Sequence, residues 1–571
     1  MAFTEFLFSY FIVAFVAAQF VPAPTDLTAV TGPSNITIRY KQVPAGICEQ
    51  NPDVKSYAGY ADVAPDQHIF FWFFEARTID PSKAPLSVWL GDGRGTSVEP
   101  AIFESNGPCR IDVNNKVVNN PYSWSNVSNM LYIDYFTQAG FSYSILVPAY
   151  VGNNSRYPVP LSSNSCPDPD ISTCGTFSYP NNSLTAGGPL EAAQTFWTTI
   201  EGFMGAFPQY ARSKINLAGQ NYGGRDAPVF VDVLKDMSEA SPVSVDTVLI
   251  GNAWVDRIAY YVGYYNFSVS PGNTYDYILF NESVAAAMYD TLWGTGNCIR
   301  QANDCKRTNK DEICVNATDS CFPVDDLPFN RSLADIREPF PDPFPPPYFV
   351  DYLNTPQVQS AIGAYQNYTE WSNFVGDEYG YLNDAIILED IKGMISQDIN
   401  VVLYYGDAEI LNNWMGGEFL ADELDPPGFT DAGYANISTS DNVVRGQVKQ
   451  SGTFSFVRVY EAGRAVPFYQ PELALTMFSR AIERKDIATG QVDVDKSYKS
   501  TGPAKSLFRE GNSTVQFTEP GPNAVYNTTD GSVSQGTNNG ARGALGRRLA
   551  SDCRLVVGDQ FVGGVRRNNL T

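Results

Sequence analysis

INLAGQNYGG, residues 215–224, is the stretch from which the architecture of the chain can be inferred. A short apolar run ends in Gly-x-Asn-x-Gly, and a segment of helical character follows it. This layout is typical of the sharp strand-to-helix turn that lifts a nucleophile above an α/β sheet. Such a turn usually carries serine at its centre. Here the position is Asn221, whose amide is not an acyl-transfer nucleophile.

Apolar runs alternate with amphipathic segments on both sides of this turn. We interpret as buried strands residues 68–74, 85–90, 130–134, 245–250, 401–407 and 454–460, and as helices residues 189–207, 225–237 and 471–484. Residues 43–60 are predicted to be an irregular segment leading into the first of these strands. The alternation predicts an α/β-hydrolase fold with a central, mostly parallel sheet.

The pattern divides the chain into five predicted regions. They are a signal peptide (1–20), a first core part (21–254) with the elbow at 219–224, a helical, disulfide-stapled cap insertion (255–392), a second core part (393–490) and a disordered polar tail (491–571). The tail is assigned from its Gly, Ser, Asn and Thr content. Its end lacks the apolar run that a GPI anchor requires.

Composition indicates a secreted globular protein. Residues 6–18 are apolar and too short to span a membrane, although the segment before them lacks Lys and Arg. A net charge of −24 and a pI near 4.4 argue against a nucleic-acid partner. Twelve Asn-x-Ser/Thr sequons predict N-linked glycans, at Asn35, Asn126, Asn153, Asn181, Asn266, Asn281, Asn316, Asn330, Asn367, Asn436, Asn512 and Asn527.

In such a protein most of the nine cysteines should form disulfides. Within the cluster of four, we expect a nested pairing of Cys298 with Cys321 and of Cys305 with Cys314. A disulfide between Cys166 and Cys174 would close a short loop. Cys48 would then pair with Cys109, and Cys553 would remain unpaired. Zinc binding is the rival interpretation of the cluster, but no histidine is near and the spacing is not CxxC. We expect no metal and no cofactor.

Several ordered motifs resemble those of serine carboxypeptidases, in particular the secreted fungal ones. The resemblance covers roughly residues 43–484. It includes Asn106-Gly107-Pro108, Asn120-Pro121-Tyr122-Ser123-Trp124, Gly140-Phe141-Ser142-Tyr143-Ser144, Gly406-Asp407-Ala408 and Val466-Pro467-Phe468. The spacing within the cysteine cluster is also similar to the nested disulfides of that family. The resemblance implies a Ser-Asp-His triad that removes C-terminal residues from peptides.

Each triad position falls in a recognisable motif, and each is substituted. The resemblance places Asn221 at the nucleophile position, Glu409 at the acid position and Arg464 at the base position. A guanidinium group stays protonated in proteins, so Arg464 cannot act as a general base. The single histidine of the chain, His68, begins an early strand, and we interpret it as structural.

The groups that surround the triad in this family are altered as well. The resemblance assigns the oxyanion-hole amides to Gly93 and Tyr222. It assigns recognition of the substrate's terminal carboxylate to the positions of Gly91, Glu104 and Gln220, of which only Glu104 keeps the family residue. The neighbouring Asp92 adds a negative charge to the loop that must stabilise a developing oxyanion.

The favoured hypothesis is a secreted glycoprotein that resembles serine carboxypeptidases but is a catalytically inactive pseudoenzyme. Its partner would be a peptide C-terminus or another extracellular ligand. One alternative is an active serine-type carboxypeptidase with an unusual set of catalytic groups, and another is a purely structural extracellular glycoprotein. If the chain is inactive, Glu409 and Arg464 should form an ion pair whose geometry suits a two-point contact, with Asn221 joining them by a hydrogen bond.

Overall fold

The computed structural model describes residues 20–512 and Val515, apart from residues 153–154, 163–165, 168–171, 238–242, 270–271, 326–329 and 381. The predicted signal peptide, except for its last residue, and the predicted tail beyond Val515 lie outside the described residues. Within the part of the chain that is described, no helix is long and apolar enough to cross a membrane.

Seventeen strands occur in the described residues, and twelve of them form one large sheet. In chain order they are β1 Thr28–Thr31, β2 Thr37–Val43, β3 Ser56–Ala64, β4 Gln67–Phe74, β5 Leu86–Trp89, β6 Cys109–Ile111, β7 Val117–Asn119, β8 Asn129–Ile133, β9 Leu146–Gly152, β10 Val159–Pro160, β11 Ser172–Ser178, β12 Lys214–Gln220, β13 Ser244–Gly251, β14 Asn400–Gly406, β15 Ala435–Ser438, β16 Val444–Ser451 and β17 Phe454–Val459.

The large sheet has the order β1-β2-β3-β4-β8-β5-β12-β13-β14-β17-β16-β15. Its six central strands, β8, β5, β12, β13, β14 and β17, run parallel to one another. The strands on both flanks pair antiparallel with their neighbours. The predicted α/β-hydrolase fold is confirmed, but the sheet is mixed rather than mostly parallel. Part of residues 43–60, predicted to be irregular, is strand β3. Its neighbour β2 is also a flanking strand and is only partly buried, so neither forms a long apolar run.

Helices cover both faces of this sheet. The α-helices of the described residues are α1 Pro189–Ala206, α2 Asn221–Met237, α3 Arg257–Ser268, α4 Glu282–Trp293, α5 Cys298–Thr308, α6 Asp311–Asp325, α7 Phe349–Leu353, α8 Pro356–Ile362, α9 Asn373–Glu378, α10 Asp384–Ser396, α11 Trp414–Leu424, α12 Val466–Tyr469 and α13 Pro471–Ile482. One face buries Phe196 of α1 and Phe230 of α2 against the strands. The opposite face buries Phe478 of α13, stacked on Trp124 at a ring distance of 4.1 Å.

Helices α3 to α10 lie between β13 and β14; α3 to α9 fall within the region predicted as a cap insertion, and α10 runs past its predicted end at residue 392 to Ser396. Two disulfides staple α5 to α6, and all four predicted pairs are present. They are Cys48–Cys109, Cys166–Cys174, Cys298–Cys321 and Cys305–Cys314. Because the four clustered sulfur atoms are consumed in these bonds, they cannot ligate zinc.

The boundary predicted for the disordered tail, residue 491, is wrong. Residues 498–512, which we call the C-terminal clasp, pack on the body of the protein. The Ser506 hydroxyl and the Phe508 carbonyl accept hydrogen bonds from Arg458 at 2.6 and 3.0 Å, and the Phe508 ring stacks on Tyr460 at 3.7 Å. The buried Arg458 guanidinium needs acceptors, and the clasp supplies two of them. Composition alone does not reveal this requirement.

Deleting the clasp should therefore destabilise the protein. We expect a chain that ends at Asp495 to lose about 3 kcal/mol or more of unfolding free energy, because it leaves a buried guanidinium short of hydrogen-bond acceptors. Urea unfolding followed by tryptophan fluorescence measures the loss. A chain that ends at Val515 keeps every described contact and is the matched control. Equal stability of the two truncated chains would contradict this role of the clasp.

Candidate functional site

The elbow is built as the sequence predicts. Strand β12 ends at Gln220 and helix α2 begins at Asn221, whose φ angle is +51°. Asparagine adopts such a left-handed conformation more readily than most residues. The glycines of the motif permit close backbone approach, since a Cβ atom at Gly223 would lie 2.0 Å from the Gly91 carbonyl oxygen. The turn therefore tolerates asparagine where the motif expects serine.

Glu409 and Arg464 form the predicted ion pair. The Arg464 Nε atom lies 2.8 Å from Glu409 Oε1. Glu409 is fully buried, whereas about a fifth of the Arg464 side chain is exposed (21%). The contact is not the two-point one considered from sequence, because Glu409 Oε2 has no well-aligned hydrogen-bond donor among the described residues. The pair occupies the acid and base positions, and the guanidinium group at the base position cannot take a proton from a nucleophile.

Burial dominates the ionisation of Glu409. It raises the pKa of this carboxyl group to about 7, although Arg464 acts in the opposite direction, as do the nearby Asn412 amide and Asn252 side chain. The ordinary pKa of this group is 4.5. The ion pair is therefore fully formed only above neutral pH.

Asn221 is held by other amides instead of by the ion pair. Its Oδ1 atom accepts a hydrogen bond from Asn412 Nδ2 at 3.2 Å. Asn252 Nδ2 donates to the Asn412 carbonyl at 3.1 Å, and Asn252 Oδ1 accepts from the Gly406 amide at 2.9 Å. The hydrogen bond predicted between Asn221 and the ion pair is not found among the described residues, and Asn221 is bonded to Asn412 instead. Sequence reasoning missed Asn412 and Asn252, because only the fold brings them beside the elbow.

A short segment of the insertion, residues 333–336, fixes the two loops that carry the ion pair. The Leu333 carbonyl accepts a hydrogen bond from the Ile410 amide at 3.0 Å, next to Glu409. The Ala334 carbonyl accepts from the Arg464 amide at 2.9 Å. This bridge was not predicted either. It joins positions far apart in the chain, and local sequence carries no signal for such a contact.

The loop after β5 lies against the elbow. Gly93 has a φ angle of +72°, and a Cβ atom there would lie 2.8 Å from the Gly223 amide nitrogen and from Tyr222 Cβ. Gly93 and Tyr222, the predicted oxyanion-hole positions, are thus close neighbours. Arg94, also at positive φ, is buried, and its Nε atom donates to the Gly376 carbonyl of the insertion at 3.0 Å. The loop is tied to the insertion through this contact.

The three positions predicted to contact a substrate carboxylate lie in the same region. The backbone N–H of Gln220 donates to the Gly91 carbonyl at 3.3 Å. Glu104 lies in the single helical turn Ala101–Ser105, and burial raises its pKa well above the ordinary range, with further increases from Glu370 and Asp92. The structure therefore groups acidic side chains beside the elbow.

His68 lies elsewhere, on β4, which is three strands away from β12 in the sheet order. Its Nδ1 atom is 2.6 Å from Asp62 Oδ1 on the neighbouring strand, and Arg39 donates to the same carboxylate at 2.7 Å. These contacts match the structural role expected from the sequence.

Comparisons with known proteins point to one family. A family model described as serine carboxypeptidase matches residues 44–484. The chain is 34% identical over 550 residues to carboxypeptidase S1 homolog A of Arthroderma otae, covering 86% of this chain and 83% of the relative. It is 29% identical over 462 residues to carboxypeptidase S1 of Penicillium janthinellum, covering 78% and 99%.

A solved structure also shares the fold. It is Kex1(Δ)p, described as a prohormone-processing carboxypeptidase from Saccharomyces cerevisiae. The TM-score is 0.55 at 20% sequence identity, and the match covers 82% of this chain and 95% of the other.

Proposed function

This chain belongs to the serine carboxypeptidase family, and we propose that it is a catalytically inactive member that acts by binding. The proposal is supported above all by the ion pair of Arg464 with the buried Glu409. A permanently protonated group stands where the mechanism needs a base, and its charge is already compensated. Asn221 offers no nucleophile for the first step.

Binding without turnover is directly testable. The protein is incubated with a mixture of peptides that carry free carboxyl termini, separated by gel filtration, and the bound fraction is identified by mass spectrometry. We expect any retained peptides to be intact. Recovery of retained peptides shortened at the C-terminus would instead favour the family-level activity, a serine-type carboxypeptidase.

We also propose that the protein is secreted and N-glycosylated. Four disulfides favour an oxidising compartment. Seven of the predicted sequons have an exposed asparagine side chain, namely Asn35, Asn266, Asn281, Asn316, Asn330, Asn436 and Asn512. Exposure of this kind leaves room for a bulky glycan on the folded protein.

Glycan occupancy should differ between sequons. The side chain of Asn367 is half-buried, its Oδ1 atom accepts a hydrogen bond from the Thr176 amide at 2.8 Å, and it lies against Gly175. A glycan would be attached to the Nδ2 atom, which here donates to Asn354 Oδ1 at 3.4 Å, so we expect Asn367 to be unmodified while exposed positions such as Asn266 and Asn436 are occupied. Glycopeptide mass spectrometry of the secreted protein measures this. A fully occupied Asn367 in folded protein would refute the expectation.

A further inference from the structure

Residues 331–344, which we call the latch segment, hold both loops of the Glu409–Arg464 ion pair in place. Four backbone hydrogen bonds of the described residues join this segment to the loops that follow β14 and β17. Written from donor to acceptor, they are Ile410 to Leu333 at 3.0 Å, Leu411 to Leu333 at 3.1 Å, Ile336 to Ala408 at 2.8 Å and Arg464 to Ala334 at 2.9 Å. The geometry of the ion pair therefore depends on the position of a segment of the insertion.

The latch segment buries the carboxyl group of Glu338 without a hydrogen-bond donor. This residue is 1% exposed, and both of its carboxyl oxygens lack a hydrogen bond among the described residues. Its backbone is held within the segment, since its amide donates to the Asp335 carbonyl and its carbonyl accepts from the Ser332 amide, each at 3.1 Å. Burial without donors disfavours the ionised form of a carboxyl group, so Glu338 ionises in place only at a considerable cost in free energy.

The two guanidinium groups of the segment have other partners. Arg337 binds the Asp335 carboxylate through two contacts, Nε to Oδ1 at 2.9 Å and Nη2 to Oδ2 at 2.6 Å, and it lies over the Tyr469 ring of α12. Arg331 donates to the Arg337 carbonyl at 3.3 Å. Neither group donates a hydrogen bond to Glu338. An ionised Glu338 would therefore lack a direct contact that compensates its charge.

The charges around Glu338 also favour its neutral form. The pKa of Glu338 is raised to about 8, chiefly by burial and then by the neighbouring carboxylates, while the two guanidinium groups oppose them. Burial likewise raises the pKa of Asp342 to about 7, although this group accepts hydrogen bonds from the Ser332 hydroxyl and the Phe344 amide. The titratable and charged groups that face Glu338 are Arg331, Asp335, Arg337 and Asp342 of the segment and Tyr469 of α12.

We propose that the latch segment is closed on the loops of Glu409 and Arg464 while Glu338 carries a proton, and is released when this buried carboxyl group ionises. On release Glu338 reaches water, which hydrates its charge. The four backbone bonds are then lost, and the loops of the ion pair are no longer held. This inference goes beyond the proposed binding function, because it concerns the protein alone and requires neither a ligand nor turnover.

The direction of the pH effect follows from proton linkage. The closed segment binds the Glu338 proton more tightly than the open segment, in which the carboxyl group has its ordinary pKa of 4.5. The contribution of this proton to the closed state is complete below about pH 4.5 and is lost as the pH rises to about 8. An acidic medium therefore keeps the segment closed, and a neutral or alkaline medium favours its release.

Hydrogen–deuterium exchange measures this release. The amides of Ile336, Ile410 and Arg464 report the bonds between the segment and the two loops. Their protection, corrected for the intrinsic exchange rate at each pH, should fall at least about 30-fold between pH 5 and pH 8. The amides of β14, such as that of Leu403, are the internal reference and should change much less, because release of the segment leaves the central sheet intact.

Variants assign the effect to one carboxyl group. Glu338→Gln stays neutral at both pH values, so its loss of protection between pH 5 and pH 8 should be at least about fivefold smaller than in the unmodified protein. Glu312→Gln removes an exposed carboxylate from α6 and is the matched control, with no expected change. Glu409→Gln separates release of the segment from titration of the ion pair and should still lose protection. Circular dichroism verifies folding, and if Glu338→Gln does not fold, Glu338→Met replaces it as a neutral side chain of similar length.

Equal losses of protection in Glu338→Gln and in the unmodified protein would overturn the inference. Protection of the three reporter amides that is the same at pH 5 and pH 8 would also overturn it, as would a parallel loss in β14, which indicates opening of the whole protein. A loss that persists in Glu338→Gln and disappears in Glu409→Gln would place the effect on the ion pair instead. None of these measurements involves peptide hydrolysis, so they do not depend on whether the protein is catalytically inactive.

Discussion

Purified protein should release C-terminal residues from peptides at least about 10⁴-fold more slowly than an active serine carboxypeptidase. Removing a single member of a Ser-His-Asp triad already lowers kcat by roughly 10⁴- to 10⁶-fold. Here Asn221 replaces the nucleophile and Arg464, paired with Glu409 at 2.8 Å, replaces the base. A peptide with a chromophoric C-terminal residue measures the rate against a boiled control. A kcat/KM within tenfold of an active relative would contradict the expectation.

Restoring the nucleophile alone should change nothing. In Asn221→Ser the hydroxyl would have no base to take its proton, since Arg464 stays protonated. The matched comparison is the triple variant Asn221→Ser, Glu409→Asp, Arg464→His, which contains all three triad residues at the family positions. Substantial hydrolysis by Asn221→Ser alone would show that another group in the cleft acts as base.

Breaking the Glu409–Arg464 ion pair should lower the unfolding free energy of the protein. Arg464→Ala leaves the fully buried Glu409 without its cation. At pH 8, where that carboxylate is ionised in the unmodified protein, we expect a loss of about 3 kcal/mol in unfolding free energy, because without the guanidinium the buried group must carry an unpaired charge or bind a proton. The double variant Glu409→Ala, Arg464→Ala should lose less than the sum of the two single variants, because neither charge is stranded. Additive single effects would contradict the pairing.

The same pair predicts how stability changes with pH. The pKa of Glu409 is raised from 4.5 to about 7 in the folded protein, so the folded state binds the proton more tightly than the unfolded state. Its contribution is complete below about pH 4.5 and is lost as the pH rises towards 7. Glu409→Gln should therefore flatten the fall in stability between those values. Urea unfolding at several pH values measures both slopes.

The central strands and the elbow could be predicted because their signal is local. Residues 401–407 and 454–460 are mainly apolar, as expected of parallel strands covered on both faces. The flanking strand β2 alternates in burial and carries a much weaker pattern. Recognition of the family motifs then placed the substituted positions, and the rule that a buried charge needs a partner predicted the ion pair.

The missed features depend on contacts between distant parts of the chain. Arg458 donates hydrogen bonds to the C-terminal clasp, and residues 333–336 bridge the loops of Glu409 and Arg464. The sequence next to these segments does not indicate either set of partners. Asn412 reaches Asn221 across 191 positions. The polar composition of the clasp predicts disorder, because a polar segment can bury little apolar surface. Composition does not show that the segment supplies hydrogen-bond acceptors to a buried charge elsewhere in the chain.

Labelling with a fluorophosphonate probe tests the absence of a catalytic serine most directly. The reagent reacts with serine hydroxyl groups activated by a base, so it reports the nucleophile and its partner together. The unmodified protein, analysed intact and as peptides by mass spectrometry, should carry no label, while an active serine carboxypeptidase treated in parallel is fully labelled. Stoichiometric labelling of any serine in the unmodified protein would contradict the proposal that this family member binds without catalysis.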